Sequence, residues 1–173
     1  MLPSQRCRNN ILKRISLKFN RNQFKRENSP GYIIHRLDSL LKLALHRRFQ
    51  AKGFDITAEQ WGVLCTLYES QGIRQSELGA LTGKDRHNIT RILNILEKKG
   101  YIRRIPDKHD KRRYNVVLTK KSRIIVDDLI SIVIHFIEEA FCGLTQKEIT
   151  GMKKVHEHII KNTEALLKKE LIQ

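Results

Sequence analysis

The sequence predicts a mainly α-helical fold of the α+β class, in which two helices separated by a tight turn precede a small β-hairpin. Residues 86–99 have the apolar spacing of an amphipathic helix that ends at Gly100, and Thr82-Gly83 supplies a turn before them. Alternating apolar residues at 101–105 and 114–118 flank a basic loop. This order is that of a winged helix-turn-helix, whose second helix enters the major groove of duplex DNA.

The chain carries a large positive charge. Its 173 residues include 34 Lys and Arg against 18 Asp and Glu, a formal net charge of +16. Such a charge suits a polyanionic partner, with nucleic acid ahead of an anionic membrane surface. No apolar run is long enough to predict stable membrane insertion, and three widely spaced cysteines do not indicate a disulfide framework. The cytoplasm is the expected compartment.

Two segments are predicted. Residues 1–31 form a basic, flexible extension, because the first 30 residues hold eight Lys and Arg and a single acid, Glu27. The alternatives are a short amphipathic helix that folds only against a partner, or a start codon placed upstream of the true one. Residues 32–173 form the folded domain. Its winged helix-turn-helix is expected at about 55–119, and its long flanking helices at about 32–52 and 119–171.

The first two helices are predicted from spacing and capping. Residues 32–51 place apolar side chains three and four positions apart, and Gly53 follows them. Residues 57–60 (TAEQ) match a capping box, so a second helix is expected at 58–70. Its buried residues are expected to be Trp61, Leu64, Cys65 and either Leu67 or Tyr68.

The helix-turn-helix follows a single predicted strand position at Ile73. The third helix begins at residues 75–77 and is expected to bury Leu78 and Leu81, and Asp85 is expected to cap the fourth helix. The fourth helix has an apolar face of Ile89, Ile92, Leu93 and Leu96. Its opposite face is polar and cationic, with side chains of lengths that reach base edges or phosphates: Arg86, His87, Thr90, Arg91 and Asn94.

The loop of the hairpin is long and basic. Residues 107–113 contain four Lys or Arg and two Asp residues, so the loop is expected to reach a neighbouring groove or the backbone of DNA. Asp110 complicates a simple phosphate clamp. We interpret it as a carboxylate that orients Arg112 or a neighbouring arginine through charge-assisted hydrogen bonds.

The C-terminal half predicts a dimerisation layer. Residues 124–141 are apolar on most sides of a helix that starts at Thr119, and a chain of this size has little to cover them. The last helix, capped by residues 145–148, carries a stripe near heptad spacing. A second subunit would cover both helices.

Other chemistry is not predicted. His135 and Glu139 lie one helical turn apart, but zinc needs three or four converging ligands. No phosphate-binding loop follows a strand, and no nucleophile motif is present. Cys65 is expected to be an inert buried thiol. We therefore predict no enzymatic activity, no cofactor and no metal.

The sequence resembles the MarR family of bacterial transcription regulators over about residues 32–170. The resemblance rests on residues 78–84 (LGALTGK) and 88–100 (NITRILNILEKKG), followed by a wing signature. That signature comprises Arg104, Asp107, Asp110, Lys111, Arg112 and the closing Leu118-Thr119. Trp61 and Leu64 resemble the core of the second helix in this family.

The resemblance implies a homodimeric regulator, in most members a repressor, that binds a pseudo-palindromic operator and is released by a small lipophilic ligand. It implies a recognition helix in the major groove and Arg112 in the minor groove. The predicted DNA-contact residues are Gln75, Ser76, Lys84, Arg86, His87, Asn88, Thr90, Arg91, Asn94, Lys108, Lys111, Arg112 and Arg113. The predicted dimer-interface residues are Ile33, Leu37, Ile130, Ile134, Ile137, Met152, Ile159 and Leu166.

Two other classes of protein remain as alternatives. One is a charge-driven architectural protein that binds DNA without sequence preference. The other is a membrane-associated protein that uses its basic N-terminal tail.

Overall fold

The computed structural model describes residues 25–70, 72–107 and 114–170. A 3-10 turn at Arg26–Asn28 precedes six helices and three strands in these ranges. In chain order they are α1 (Pro30–Ala51), α2 (Ala58–Glu69), β1 (Ile73–Arg74), α3 (Gln75–Leu81), α4 (Arg86–Lys98), β2 (Ile102–Pro106), β3 (Tyr114–Leu118), α5 (Lys120–Ala140) and α6 (Gln146–Glu170). The predicted fold class is confirmed.

A small antiparallel sheet follows the helix-turn-helix. Its strand order is β1-β3-β2, so β3 lies in the centre. Ile73 pairs with Val116, and Ile102 pairs with Leu118. The strand position predicted at Ile73 is therefore confirmed, and it ties the start of α3 to the hairpin.

Thr57 caps α2 as the sequence predicts. Its Oγ1 accepts a hydrogen bond from the backbone N–H of Gln60 at 3.2 Å, and its own N–H donates to Oε1 of Gln60 at 3.3 Å. These two bonds satisfy two donors that would otherwise lack a partner at the start of the helix. Gln60 is itself buried, and the bond from Thr57 gives its Oε1 a partner.

Replacing the cap tests its contribution. We expect Thr57→Ala to lower the free energy of unfolding by about 1 kcal/mol, because the helix loses a side-chain acceptor. Thr57→Ser keeps the hydroxyl and serves as the matched control. Urea denaturation at one fixed protein concentration measures both variants. An alanine variant as stable as the serine variant would contradict the role of this cap.

The chain divides into two units, Met1–Ala44 and Leu45–Gln173. In the second unit, the core consists of side chains that are at most 2% exposed, and it extends from the end of α1 through the sheet to α5. Its largest members are Phe49, Ile56, Leu64, Leu67, Leu78, Ile89, Ile92, Leu93, Leu96, Ile102 and Leu129.

The predicted buried residues of α2 and α3 are partly wrong. The inward face of α2 consists of Gln60, Val63, Leu64 and Leu67. Trp61 and Cys65 are only half-buried, because the capped register places them one position to the side; the Trp61 ring lies 6.1 Å from that of Phe49. Tyr68 is exposed and donates a hydrogen bond to Asp127 at 3.1 Å.

The prediction that Leu81 is buried is also wrong. Leu81 is 66% exposed, because α3 ends there and the chain turns away at Thr82-Gly83. The buried neighbour of Leu78 is Gly79 instead. A Cβ at Gly79 would lie 3.1 Å from the backbone oxygen of Lys84. The absence of a side chain therefore allows α3 and the turn to approach closely.

The described part of the first unit, residues 25–44, buries none of its side chains. Its apolar residues in α1 are exposed: Ile33, Ile34, Leu37, Leu40 and Leu43. The predicted helix is confirmed, and Ile33, Leu37 and Leu40 lie on one face of it, which residues 25–44 do not cover.

The two C-terminal helices leave much apolar surface uncovered. In α5 the buried residues are Ser122, Val126, Leu129 and Phe136, whereas Ile134 and Ile137 remain about half exposed. No side chain of residues 146–168 in α6 is buried. None of the described helices combines the length and apolarity needed to cross a membrane.

Candidate nucleic-acid interface

Helix α4 presents two contrasting faces. Ile89, Ile92, Leu93 and Leu96 are buried, as the sequence predicts. Arg86, His87, Asn88, Arg91 and Asn94 are exposed, and Thr90 is half-buried. A polar, cationic helix face held on a fixed apolar core can make both phosphate and base-edge contacts.

Asp85 fixes the first turn of α4. Its Oδ1 accepts the backbone N–H of Asn88 at 2.8 Å, and its Oδ2 accepts Nδ2 of Asn88 at 2.7 Å. The predicted cap is therefore confirmed. The backbone N–H of Asn88 is the main cause that lowers the pKa of Asp85, and the Asn88 side chain adds to this effect.

The lowered pKa makes this cap sensitive to acid. A carboxyl whose pKa is lower in the folded than in the unfolded state stabilises the fold above the unfolded-state pKa, and this contribution is lost as pH falls through the folded-state pKa. We expect the amide resonance of Asn88 to move with the titration of Asp85 in NMR spectra. Asp85→Asn keeps an acceptor that does not titrate. If the asparagine variant shows the same movement, Asp85 is not its cause.

A hydrogen-bond chain joins α3 to α4. Nε2 of Gln75 donates to Oγ1 of Thr90 at 2.7 Å, and this hydroxyl donates to the backbone oxygen of Arg86 at 2.6 Å. Two of the predicted contact residues thus hold the helices in a fixed relation. These bonds use the hydroxyl hydrogen of Thr90, but they leave Gln75 its second amide N–H and its Oε1 for a ligand.

An open cavity of about 610 Å³ lies beside the start of α4. Three cationic side chains contribute to its walls, namely Arg74, Lys84 and Arg86. The other lining residues are Gln75, Ser76, Glu77, Gly79, Ile89 and Tyr114. Its charge and open shape suit a phosphate-bearing ligand, and four of the predicted contact residues line it: Gln75, Ser76, Lys84 and Arg86.

Arg104 and Arg91 differ in how firmly neighbouring acidic side chains hold them. Arg104 on β2 is fixed: Nη1 bonds to the Glu97 carboxylate, and Nη2 donates to Oδ1 of Asn94 at 2.8 Å. Arg91 is looser, since its Nη2 lies 3.7 Å from Oε2 of Glu59 and its side chain is 60% exposed. Arg104 therefore braces the hairpin against α4, whereas Arg91 can reach outward.

The described end of the wing is also braced. Asp107 is 8% exposed. Its Oδ2 lies 3.6 Å from Nη2 of Arg74 and 3.4 Å from Nδ2 of Asn115, which donates to it. The remaining predicted wing residues lie outside the described residues: Lys108, Asp110, Lys111, Arg112 and Arg113.

Sequence reasoning missed Glu59, Arg74 and Tyr114 at this surface. Arg74 could have been noticed, because it directly precedes α3. Glu59 gives no local signal, since its neighbours Lys84 and Arg91 are distant in the chain.

Metal and thiol chemistry find little support. Within the described ranges, no group of three His, Cys, Asp or Glu side chains could hold a metal ion. Glu139 instead forms an ion pair with Arg48. Burial raises the pKa of the Cys65 thiol, and the Glu69 carboxylate adds to the rise. Because the thiolate is the reactive form, Cys65 is poorly placed to react.

Comparison with known proteins places this geometry in context. A model of the MarR family matches residues 56–114. The multiple antibiotic resistance protein MarR of Escherichia coli is 32% identical over 102 residues, which cover 57% of this chain and 69% of that protein. The HTH-type transcriptional regulator YybA of Bacillus subtilis is 28% identical over 134 residues, or 78% of this chain and 85% of that protein.

A solved structure gives a further match. The crystal structure of a mutant of Escherichia coli MarR complexed with operator DNA is 28% identical and superposes with a TM-score of 0.69. The match covers 75% of this chain and 91% of that chain.

Proposed function

The chain belongs to the MarR family of transcription regulators, and from this premise we propose that it is a homodimeric repressor that binds a pseudo-palindromic operator and is released by a small molecule. Its partner is double-stranded DNA, and the protein acts where that DNA lies, in the cytoplasm. The observation that carries the proposal is the cationic outer face of α4, held on a buried apolar face and placed beside an open basic cavity.

The proposed DNA contacts fall into two groups. The described group lies on or beside the helix-turn-helix: Gln75, Ser76, Lys84, Arg86, His87, Asn88, Thr90, Arg91 and Asn94. In this group, α4 enters the major groove. The second group is the tip of the wing, where Arg112 enters the minor groove, Lys108, Lys111 and Arg113 contact phosphates, and Asp110 orients an arginine.

The uncovered apolar side chains support a homodimer. Ile134, Ile137 and Ile159 are 50%, 47% and 40% exposed in the single chain. Large exposed apolar patches mark association sites, because covering them removes apolar surface from water. The proposed interface consists of Ile33, Leu37, Ile130, Ile134, Ile137, Met152, Ile159 and Leu166. Two-fold symmetry then gives an operator with two half-sites about one helical turn apart.

A second cavity supports release by a small molecule. It has a volume of about 710 Å³ and lies between the end of α1 and α5. Apolar side chains of Ala51, Phe54 and Ile132 line it, together with polar and charged ones that include Arg48 and His135. Six of the nine lining residues are polar or charged, so the cavity suits a small molecule with an apolar part and several polar groups. Such an effector would contact α5, which packs against α2, and α2 in turn packs against α4.

Selection from a random duplex pool tests this function against charge-driven binding. The enriched duplex and a scrambled duplex of the same composition are then titrated at several salt concentrations. A regulator retains a preference for the enriched duplex of at least about a thousand-fold near physiological salt. Equal affinity for both duplexes at every salt concentration would instead support the architectural alternative, which the net charge of +16 favours.

A further inference from the structure

Glu59 places a negative charge among the proposed DNA contacts. It is the second residue of α2. Its Oε1 lies 3.6 Å from Nζ of Lys84, and its Oε2 lies 3.7 Å from Nη2 of Arg91. Among the described acids, Glu59 is the one with ion pairs to two proposed DNA-contact residues.

The two ion pairs leave the cations able to move. At these distances the groups attract each other through charge without a close hydrogen bond. Arg91 can therefore turn toward DNA without breaking one, in contrast to Arg104, which is hydrogen-bonded to Glu97 and Asn94. Lys84 is more enclosed, with a side chain that is 18% exposed.

A negative charge in this position lowers the affinity for every DNA sequence. It repels phosphates and competes with them for Lys84 and Arg91, whatever the bases are. A base edge carries no net charge, so on the operator Arg91 can contact a base and keep its ion pair with Glu59, whereas on unrelated duplex a phosphate replaces that pair. The acid therefore lowers affinity for unrelated DNA more than it lowers affinity for the operator.

We propose that Glu59 is a specificity-determining residue of the DNA-binding surface, which forms ion pairs with Lys84 and Arg91 and so disfavours binding to unrelated duplex. This inference rests on the proposed function. It adds a role for a residue that belongs neither to the recognition helix nor to the wing.

The competing explanation is that Glu59 only stabilises α2. A carboxylate in the first turn of a helix interacts favourably with the helix dipole. A purely structural role would lower the thermal midpoint of the Glu59→Gln variant and leave its ratio of affinities for the two duplexes unchanged. The thermal midpoint of every variant is therefore measured beside its DNA affinity.

The experiment compares Glu59→Gln with Glu138→Gln, which removes the same charge from an exposed position of α5. Both are titrated with the enriched duplex and its scrambled counterpart. Relative to the control, we expect Glu59→Gln to bind the scrambled duplex about five-fold more tightly at low salt. Its affinity for the enriched duplex should change by less than about two-fold, so the specificity ratio falls. On scrambled duplex the logarithmic salt slope should steepen by about one, since a phosphate replaces Glu59 as partner.

Glu59→Asp keeps the charge and should retain most of the parent's specificity ratio. The inference is overturned if Glu59→Gln and Glu138→Gln change both affinities by the same factors, while the parent still prefers the enriched duplex. A parent that binds both duplexes alike overturns the proposed function and this inference together.

Discussion

Ile134→Asp is expected to convert the proposed homodimer into a folded monomer. In the single chain this side chain is 50% exposed, so a carboxylate there remains hydrated in the monomer. In the dimer it would be buried without a partner, which costs several kcal/mol for each subunit. We expect the dimer dissociation constant to rise by at least about a hundred-fold, measured by sedimentation equilibrium. Helical content, measured by circular dichroism, should be retained at the same concentration.

Thr150→Asp is the control for this variant. Thr150 is exposed on α6, two residues before Met152 and therefore on nearly the opposite side of the helix. The Thr150→Asp variant should remain dimeric. A dimeric Ile134→Asp protein would show that this part of α5 lies outside the interface.

Arg91→Ala is expected to have the second largest effect, on DNA affinity. The side chain is exposed on the polar face of α4, and among the described residues no close hydrogen bond to another side chain holds it away from DNA. Loss of one arginine that contacts a base costs about 1–3 kcal/mol of binding free energy, which is roughly a five- to 150-fold loss of affinity for the enriched duplex. Fluorescence anisotropy measures this loss, and the dimer should stay intact.

Lys161→Ala removes one positive charge from an exposed position of α6 and is the matched control. It should bind the enriched duplex within about two-fold of the parent, because distant surface charges are screened by salt. If both variants lose affinity equally, net charge rather than the position of Arg91 determines binding.

Local patterns predicted the parts of the structure that depend on neighbouring residues. The apolar face of α4 repeats at helical spacing, and the caps at Thr57 and Asp85 bond to residues three positions away. Such interactions are encoded within one turn of a helix. The fourth helix, its two faces and its start could therefore be identified without coordinates.

Interactions between distant segments could not be predicted. The sequence does not reveal that Arg104 joins Glu97 to Asn94, or that Glu59 lies beside Lys84 and Arg91. These contacts depend on how α2, α4 and β2 pack. The error at Leu81 has the same origin, because an apolar residue at the end of a short helix is buried only if another element covers it.

The proposed dimer is inferred from the amount of apolar surface on α5 and not from any particular contact. Helix α5 has more apolar residues than one chain can cover, which is visible in the sequence. The exposed fractions of Ile134 and Ile137 are consistent with that shortage. The geometry of the interface depends on the partner and is not encoded in either helix alone.

In the proposed function, two copies of α4 read two half-sites in a fixed two-fold arrangement. The most direct test measures affinity for the enriched duplex after about five base pairs, half a helical turn, are inserted between its half-sites. The insertion moves one half-site to the opposite side of the duplex, so a two-fold reader should retain only the affinity of a single half-site. Full affinity for the lengthened duplex would contradict the claim, because each chain would then bind DNA independently.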